Sequence, residues 1–201
     1  MSWIKWISYD QATGRLKQLY NRIKGPNNYI DNIMLVHSLR PHTLNAHMSI
    51  YKNVLHHTGN KLPKSLLETI GVYVSHLNGC TYCVEHHFQG LRRLLEDDER
   101  AYAMREAFER NELESVFNER ELAILRYAEH LTRSPADMDE AKVMAMRNVG
   151  LTDGEILEIN QVVSYFAYAN RTVLGLGVST VDDILGLSPG DSDDPDNWHH
   201  G

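Results

Sequence analysis

The stretch LLETIGVYVSHLNGCTYCVEHH, residues 66–87 of this 201-residue chain, decides the fold. Apolar residues recur in its first half at steps of three and four, the spacing of one helix face: Leu66, Ile70, Val74 and Leu77. Asn78-Gly79 is a turn signal that ends this helix, so Cys80 falls at or just before the start of the next one. The stretch therefore predicts two helices joined by a tight turn, with both cysteines of the chain at the start of the second helix.

Helical spacing dominates the rest of the chain as well. Pro63 is typical of a first helical turn, and NERE at 118–121 and TDGE at 152–155 resemble capping boxes. We predict eight helices, near residues 10–24, 42–57, 63–78, 81–95, 98–109, 119–133, 138–148 and 153–174. No convincing run of alternating strand residues lies between them. The predicted fold class is all-α.

The length suits one domain that buries a sizeable core. We predict a single helical domain over residues 1–185. The last stretch, GLSPGDSDDPDNWHHG at residues 186–201, is acidic and rich in Gly, Pro, Ser and Asp. This composition is typical of a mobile tail, or of an arm that orders only against a neighbouring subunit.

Charge and apolar content restrict the class of protein. The net charge of −7 argues against binding to nucleic acid or to an anionic membrane, since both attract basic surfaces. The first residues, MSWIKWISYD, lack the apolar core of a signal peptide, and no apolar run is long enough to span a bilayer. We therefore expect a cytoplasmic protein. A cysteine pair in that compartment is more often catalytic, redox-active or metal-binding than a structural disulfide.

The two cysteines have the minimum equipment for two-electron redox chemistry. Helix N-termini carry unpaired amide hydrogens and a partial positive charge, which favour thiolate over thiol. A Cys-x-x-Cys at such a terminus is a known way to lower the pKa of a cysteine. The three-residue spacing of Cys80 and Cys83 also brings the two side chains within reach of a disulfide.

A proton relay to the second cysteine is expected from the helix pair. His87 lies four residues after Cys83, one turn along the same helix face, where it can take a proton from the thiol. At about 1.5 Å rise per residue, Glu68 lies roughly 16 Å from the turn and His87 roughly 10 Å, an offset that a long carboxylate side chain bridges directly or through one water if the two helices are antiparallel. The expected order is an orienting carboxylate, a base and a nucleophile. A glutamate on a largely apolar helix face needs such a partner to be buried.

This pattern resembles a known family. Glu68, followed after eleven residues by Cys80-x-x-Cys83-x-x-x-His87, resembles the AhpD-like alkylhydroperoxidases of the carboxymuconolactone decarboxylase superfamily. Three stretches look like the peroxidase-related branch of that superfamily: VHSLRPHTL (36–44), VSHLNGCTYCVEHH (74–87) and YFAYANRTVLGLGV (165–178). The resemblance covers residues 26–178, which we take as the core of the domain.

The resemblance implies an all-helical AhpD-like fold that assembles as a dimer, trimer or hexamer. It implies that Cys83 attacks peroxide and becomes a sulfenic acid, that Cys80 is the proton donor and resolving thiol, and that Glu68 with His87 forms the relay. One position departs from the family pattern. The best-studied members have a histidine immediately before the second cysteine, where this chain has Tyr82, and a phenol is not a base at neutral pH. A lower peroxidase efficiency is the expected consequence.

The partners expected on this basis are a hydroperoxide substrate, a thiol reductant that is thioredoxin-like or lipoyl-bearing, and other copies of the chain. No cofactor and no metal are expected. The reaction would form a sulfenic acid that condenses with the second thiol to a disulfide, which the reductant reopens by thiol–disulfide exchange.

Other functions fit parts of the same pattern. A zinc site with Cys80, Cys83, His87 and either Glu68 or His86 as ligands is the main rival, although the chain has no second cysteine cluster. An enzyme of the carboxymuconolactone decarboxylase type, a lyase or isomerase, would use the histidine and glutamate for acid–base chemistry and leave the cysteines incidental. A redox sensor without turnover would use the disulfide only to switch a surface.

We expect modest roles for several other histidine and aromatic side chains. We expect His86 to be a supporting or surface residue, His199-His200 to have no role, and Tyr82 to be exposed between the cysteines. The aromatic residues Tyr165, Phe166 and Tyr168 are expected to pack in the core or against another subunit.

Overall fold

The computed structural model describes residues 2–194 and 196–201, and within them the chain is helical, with two isolated β-bridges. Nine α-helices follow one another through these residues: α1 (Gly14–Ile23), α2 (Asn32–Leu35), α3 (Pro41–Leu55), α4 (Lys64–Leu77), α5 (Thr81–Leu95), α6 (Asp98–Arg110), α7 (Glu119–Arg133), α8 (Glu140–Asn148) and α9 (Asp153–Leu176). Short 3-10 turns lie at Pro26–Asn28, Leu113–Ser115 and Pro135–Asp137.

The all-α prediction is confirmed. Each of the eight predicted helices is present with its ends shifted by no more than a few residues, and both expected capping boxes form, at Asn118 before α7 and at Thr152 before α9. The helix α2 was not predicted, because four residues are too few to display a helical period. Among the described residues, no helix combines the length and the apolar character that crossing a bilayer requires.

Helix α4 lies at the centre of the molecule. An unbroken run from Leu67 to Ser75 is buried, which leaves this helix without a solvent-facing side over most of its length. One side of α4, including Ile70 and Val74, belongs to the main core with residues of α1, α3, α7 and α9. Val72 and Tyr73 belong to a second cluster that α4 shares with α5 and α6. A helix buried on both sides in this way is held firmly against its neighbours, so side chains projecting from it are well positioned.

The turn between α4 and α5 is a Schellman motif. Gly79 has a positive φ of 68°, and its amide donates to the carbonyl of His76, while the amide of Cys80 donates to the carbonyl of Ser75. The left-handed conformation at Gly79 reverses the chain within two residues. Helices α4 and α5 are therefore antiparallel neighbours, as the Asn-Gly signal predicts.

Helix α9 approaches α4 closely at Gly71. A Cβ atom at this position would overlap the ring of Phe166, so only glycine permits the contact. The Phe166 ring is fully buried and lies edge-on to the imidazole of His87, with ring centroids 4.6 Å apart. The close approach of α9 thus reaches the side chains of the helix pair that carries the cysteines.

The C-terminal tail, here residues 186–194 and 196–201, lies against its own chain. Trp198 and His200 are 3% and 2% exposed, and the guanidinium of Arg22 lies 3.8 Å from the centre of a Trp198 ring. Arg22 also forms an ion pair with Asp196. The composition of the tail predicts mobility, but in the structure the buried indole of Trp198 anchors the tail to the helical domain. The division of the chain at residue 186 stays a prediction.

Backbone carbonyls of the tail also bind cations of the helical domain. The buried Lys52 donates through Nζ to the carbonyls of His56, at 2.9 Å, and of Gly190, at 2.5 Å. Arg93 donates to the carbonyl of Gly186. These contacts hold the beginning of the tail over α3 and α5, next to the helix pair.

Candidate active site

The two cysteines lie in contact at the start of α5. Cys80 is the N-cap residue of the helix, Cys83 belongs to its first turn, and their Sγ atoms are 3.0 Å apart. Both are free thiols and both are buried, at 0% and 3% exposure. The Schellman turn determines that α5 begins just after Cys80, so both cysteines lie at the start of this helix.

The two thiols have opposite pKa shifts. The hydrogen bond from the Cys83 thiol stabilises a thiolate on Cys80 and lowers the pKa of Cys80, against the effect of burial. The same hydrogen bond, followed by burial, raises the pKa of Cys83 well above its ordinary value. The contact between the two sulfurs therefore favours a thiolate at Cys80, whereas Cys83 requires a base to lose its proton.

Asn170 of α9 is the side chain that ties the turn to this pair, and sequence reasoning gave it no role at the site. Its amide donates to Ser75 Oγ at 3.0 Å, and its oxygen accepts from Asn78 Nδ2 at 2.9 Å. A hydrogen bond from Asn170 also lowers the pKa of each cysteine thiol. It is fully buried, and a polar residue within the apolar pattern of α9 was the available signal.

The predicted contact between Glu68 and His87 is present. Glu68 Oε2 lies 2.8 Å from His87 Nδ1, and both side chains are largely buried. Burial would raise the pKa of Glu68, but the charge of the His87 ring and the hydrogen bond from it outweigh burial and hold that pKa below its ordinary value. When the ring is neutral, the carboxylate accepts the Nδ1 hydrogen, and the lone pair that can accept a proton is then on Nε2.

A cavity of about 140 Å³ adjoins these residues. It is lined by Cys83, Glu68 and His87, while Cys80 lies outside it, behind Cys83. Of the four residues predicted to form the site, Glu68, Cys83 and His87 therefore line one cavity. The fourth, Cys80, contacts the sulfur of Cys83. A small molecule in this cavity reaches Cys83 before it can reach Cys80.

Aromatic and histidine side chains complete the cavity wall. Tyr51 and Tyr165 stack with ring centroids 5.5 Å apart, and His47 lies against both rings. Tyr165 packs in the main core, as predicted, and it also lines the cavity, which was not predicted. Helical spacing alone does not tell a packing aromatic from a cavity-lining one, since both lie on the inward face.

Tyr82 and His86 differ from their predicted positions. Tyr82 is 5% exposed, and its hydroxyl accepts a hydrogen bond from the amide of Ile33. His86 is also buried, and its Nε2 lies 3.1 Å from Asp183 Oδ2. The segment that follows α9 carries Asp183 over the first turns of α5, which buries the side that the isolated helix would expose to solvent.

His200 is a further departure from the sequence-based expectation, which gave it no role. Gly186, Leu187, Ser188 and His200 of the tail all line the cavity. The Nδ1 atom of His200 lies 2.8 Å from the carbonyl of Trp198, so the burial of Trp198 also fixes this ring. The tail thus forms one wall of the candidate site.

Within residues 2–194 and 196–201, no three or more His, Cys, Asp or Glu side chains are grouped so that they could hold a metal ion. Of the ligands considered for zinc, Glu68 and His87 are bonded to each other and His86 is bonded to Asp183. In this arrangement the nitrogen and oxygen atoms considered as zinc ligands are hydrogen-bonded to other side chains.

Comparison with known proteins supplies the relatives. The family model of the carboxymuconolactone decarboxylase family matches residues 41–109, which contain α3 to α5 and most of α6. No curated protein sequence matches the chain.

Solved structures share the fold. An uncharacterised peroxidase-related protein from Ralstonia eutropha JMP134, described as an alkylhydroperoxidase AhpD core, is 22% identical, with a TM-score of 0.75 over 89% of this chain and 91% of that one. A peroxidase-related protein from Silicibacter sp. TM1040 is 26% identical, with a TM-score of 0.67 over 76% and 78% of the two chains. The debrominase Bmp8, as a cysteine-to-alanine variant in complex with 2,3,4-tribromopyrrole, is 20% identical, with a TM-score of 0.62 over 80% and 79%.

The family model covers the antiparallel helices that carry Glu68, both cysteines and His87, and the shared fold extends over most of the chain. Residues 41–109 thus match the carboxymuconolactone decarboxylase family, and the chain as a whole has the fold of AhpD-like, peroxidase-related structures.

Proposed function

We propose that this protein is a thiol-dependent peroxidase that reduces alkyl hydroperoxides or hydrogen peroxide with its cysteine pair. The observation that carries the proposal is the convergence of Cys83, His87 and Glu68 on one cavity, with Cys80 in contact behind Cys83. Each of the four side chains then has a role that its surroundings favour. Neither a cofactor nor a metal is needed for these roles.

In the first step Cys83 is the nucleophile. The raised pKa of its thiol means that it needs a base, and His87 is one helical turn away on the same face. His87 takes the proton at Nε2, and the Cys83 thiolate attacks the terminal oxygen of the hydroperoxide. An S–O bond forms, the O–O bond breaks, and the leaving alkoxide receives the proton from His87 and departs as an alcohol. Glu68 stabilises the transient imidazolium through Nδ1.

In the second step Cys80 resolves the sulfenic acid. The lowered pKa of Cys80 favours its thiolate, which attacks the Cys83 sulfur. The S–S bond forms, and the hydroxide that leaves is protonated to water. Two thiols and one hydroperoxide have then become a disulfide, an alcohol and water. An external thiol, thioredoxin-like or lipoyl-bearing, returns the disulfide to two thiols by exchange. Tyr82 serves to shape the wall of the cavity.

We propose a cytoplasmic location, where such a reductant is present, and assembly into a dimer, trimer or hexamer. The likeness to AhpD-like proteins and the chemistry proposed for the cysteine pair support both. Size-exclusion chromatography with light scattering tests the assembly, and a monomer at micromolar concentration would contradict it.

An acid–base lyase or isomerase is a second candidate. The observation that favours it is that the Cys83 pKa is raised, so that His87 with Glu68 is the reactive proton-transfer pair on the cavity. The debrominase among the structural relatives shows that this fold also occurs in an enzyme named for a different reaction. Serine at both cysteine positions separates the candidates, because a lyase retains turnover and a peroxidase loses it.

Mass spectrometry after stoichiometric peroxide tests the peroxidase. The wild-type chain is expected to lose two hydrogens. Cys80→Ser is expected to give a sulfenic acid on Cys83 that a dimedone-type reagent traps, and Cys83→Ser to lose peroxide-dependent thiol oxidation. Full activity in Cys83→Ser, or a sulfenic acid on Cys80 alone, would contradict the assigned roles.

A further inference from the structure

Asp31 is a buried carboxyl group, one oxygen of which has no partner in the fold. It is the N-cap residue of α2, yet its side chain accepts no hydrogen bond from the amides of that helix, which is the usual role of an aspartate at this position. Its Oδ1 atom is shielded from solvent and has no hydrogen-bond partner. Since an unpaired buried acceptor is costly, a carboxyl left in this state needs an explanation outside the fold.

The neighbouring carboxyl group of Asp183, in contrast, has a structural role. One of its oxygens accepts from the hydroxyl of Tyr29 at 2.5 Å and from the amide of Asn32 at 3.1 Å. Its other oxygen lies 3.1 Å from His86 Nε2. Asp183 therefore uses both oxygens to hold the segment after α9 in place, whereas Asp31 leaves an oxygen unused.

Asp31 lines the same cavity as Cys83. Two other atoms of cavity-lining side chains, His47 Nδ1 and His200 Nε2, are also buried without a hydrogen-bond partner. His200 Nε2 lies 3.9 Å from Asp31 Oδ2, which is too long for a hydrogen bond. Unpaired polar atoms of three side chains thus line the cavity that Cys83 faces.

The size of the cavity limits that molecule. Its volume of about 140 Å³ is close to that of engineered cavities of about 150 Å³ that bind benzene. The walls combine stacked aromatic rings, Tyr51 and Tyr165, with the unpaired polar atoms. A ligand with an apolar body of about one ring and a polar group on its edge matches both features.

We propose that Asp31 is a substrate-binding residue that accepts a hydrogen bond from an O–H or N–H group on a molecule of about one ring in size. The substrate class is then a hydroperoxide that carries such a donor, with its reacting oxygen at Cys83. The inference rests on the proposed function in taking Cys83 as the reacting end of the cavity. The binding site itself does not depend on that chemistry, so the two can be tested apart.

Calorimetric titration of the full reduced chain with phenol and with toluene tests the proposal. These two probes have nearly the same shape and differ in an O–H donor against a methyl group. We expect the wild-type chain to bind phenol at least tenfold more tightly than toluene. At pH 8, where Asp31 is ionised, Asp31→Asn is expected to reduce this ratio several-fold, because a neutral acceptor is weaker than a charged one, and Asp31→Leu is expected to bring it within twofold.

The matched control is Asp182→Asn, which makes the same change at an exposed carboxyl with a backbone conformation that asparagine tolerates. It is expected to leave the ratio unchanged. Equal binding of phenol and toluene by the wild-type chain, or an unchanged ratio in Asp31→Leu, would overturn the proposal. If Asp31→Leu does not fold, an unchanged ratio in Asp31→Asn decides against it.

Repeating the titration with Cys83→Ser separates this inference from the peroxidase. The preference for phenol is expected to persist in that variant, because binding needs no thiol chemistry. A Cys83→Ser protein that keeps its peroxidase activity and its preference contradicts the proposed function and leaves the Asp31 site standing. A wild-type chain that reduces peroxide but binds both probes equally contradicts the Asp31 site alone.

Discussion

Glu68 on α4 and His87 on α5 are joined by a 2.8 Å hydrogen bond that crosses between the two antiparallel helices. The bond fixes the imidazole by one nitrogen and leaves the other as the basic site. Since Cys83 has a raised pKa, the rate of its reaction with peroxide should depend on this second nitrogen. The carboxylate thus acts on the thiol through the ring, without touching it.

Glu68→Gln should slow peroxide-dependent oxidation of Cys83 by about 10- to 100-fold, the usual effect of removing an orienting carboxylate behind a histidine. The amide keeps the shape but neither holds the charge that stabilises an imidazolium nor favours one tautomer. Stopped-flow measurement of thiol oxidation across pH checks this.

Glu85→Gln is the matched control for that experiment. Glu85 is a carboxylate on the same helix as His87, but it forms an ion pair with Arg105 at 2.6 Å and does not line the cavity. We expect its rate and pH profile to match the wild type. Equal slowing in both variants would indicate a general loss of helix stability, and the role assigned to Glu68 would then be wrong.

The contact between Glu68 and His87 was predictable because it depends on local rules. The Asn78-Gly79 turn makes the helices antiparallel, and the rise per residue then brings the side chains of Glu68 and His87 within reach of each other. The same rules place both cysteines at the start of α5. Helix ends, capping and spacing are properties of neighbouring residues, so one sequence contains enough information to predict them.

The cavity wall was not predictable, because long-range contacts make it. Gly190 of the tail accepts from Lys52, and Asp183 reaches His86 from a segment beyond α9. The acidic composition of the tail indicates mobility and gives no sign of a partner on α3. The pKa difference between the thiols also escaped prediction, since the helix terminus acts on both and only their contact decides which one keeps the proton.

Gly71→Ala should destabilise the protein by about 1–3 kcal/mol, the usual effect of overpacking a core. The added Cβ would overlap the Phe166 ring and force α9 away from α4, which disturbs the edge-on contact of Phe166 with His87. Urea unfolding measures the loss. Gly175→Ala is the control, because a Cβ there meets nothing within 4 Å in the same helix α9. We expect it to be neutral or stabilising by up to about 1 kcal/mol, and a loss at position 175 as large as that at position 71 would contradict the packing explanation.

Trp198→Ala should release the tail and make Cys83 more reactive. The indole is the apolar anchor of the last residues, and the tail that it holds forms a wall of the cavity. We expect the reaction of Cys83 with a bulky disulfide reagent to become at least about tenfold faster, following the population of the open tail. Hydrogen exchange of residues 186–201 should rise in parallel.

His199→Ala is the control for the tail experiment, because it removes the exposed side chain next to Trp198. We expect no change in thiol reactivity or in exchange. A Trp198→Ala protein with faster exchange in the tail but unchanged thiol reactivity would show that the tail does not restrict access to Cys83.

Asp31→Asn should stabilise the protein at high pH and have little effect at low pH. Burial, and the charge of Asp183, raise the pKa of Asp31 from 3.8 to about 7, while His86 and a hydrogen bond from Tyr29 lower it. His200, 3.9 Å away, provides no cation at neutral pH, because burial lowers its pKa to about 4. The folded state therefore holds a proton between pH 4 and 7 that the unfolded state has released, and stability falls as pH rises through this range.

Raising the pKa of Asp31 from 3.8 to about 7 corresponds to a destabilisation of the folded state by at most about 4 kcal/mol, which is fully present above pH 7 and absent below about pH 4. We therefore expect Asp31→Asn to raise the melting temperature by several degrees at pH 8 and by less than about one degree at pH 4. Calorimetry of both proteins at the two pH values measures the difference, with Asp182→Asn as the exposed control. A constant difference across pH would show that Asp31 is not an unpaired buried carboxylate. A gain at pH 8 would mean that the wild-type chain retains a destabilising charge at its cavity, as expected of a residue kept for binding.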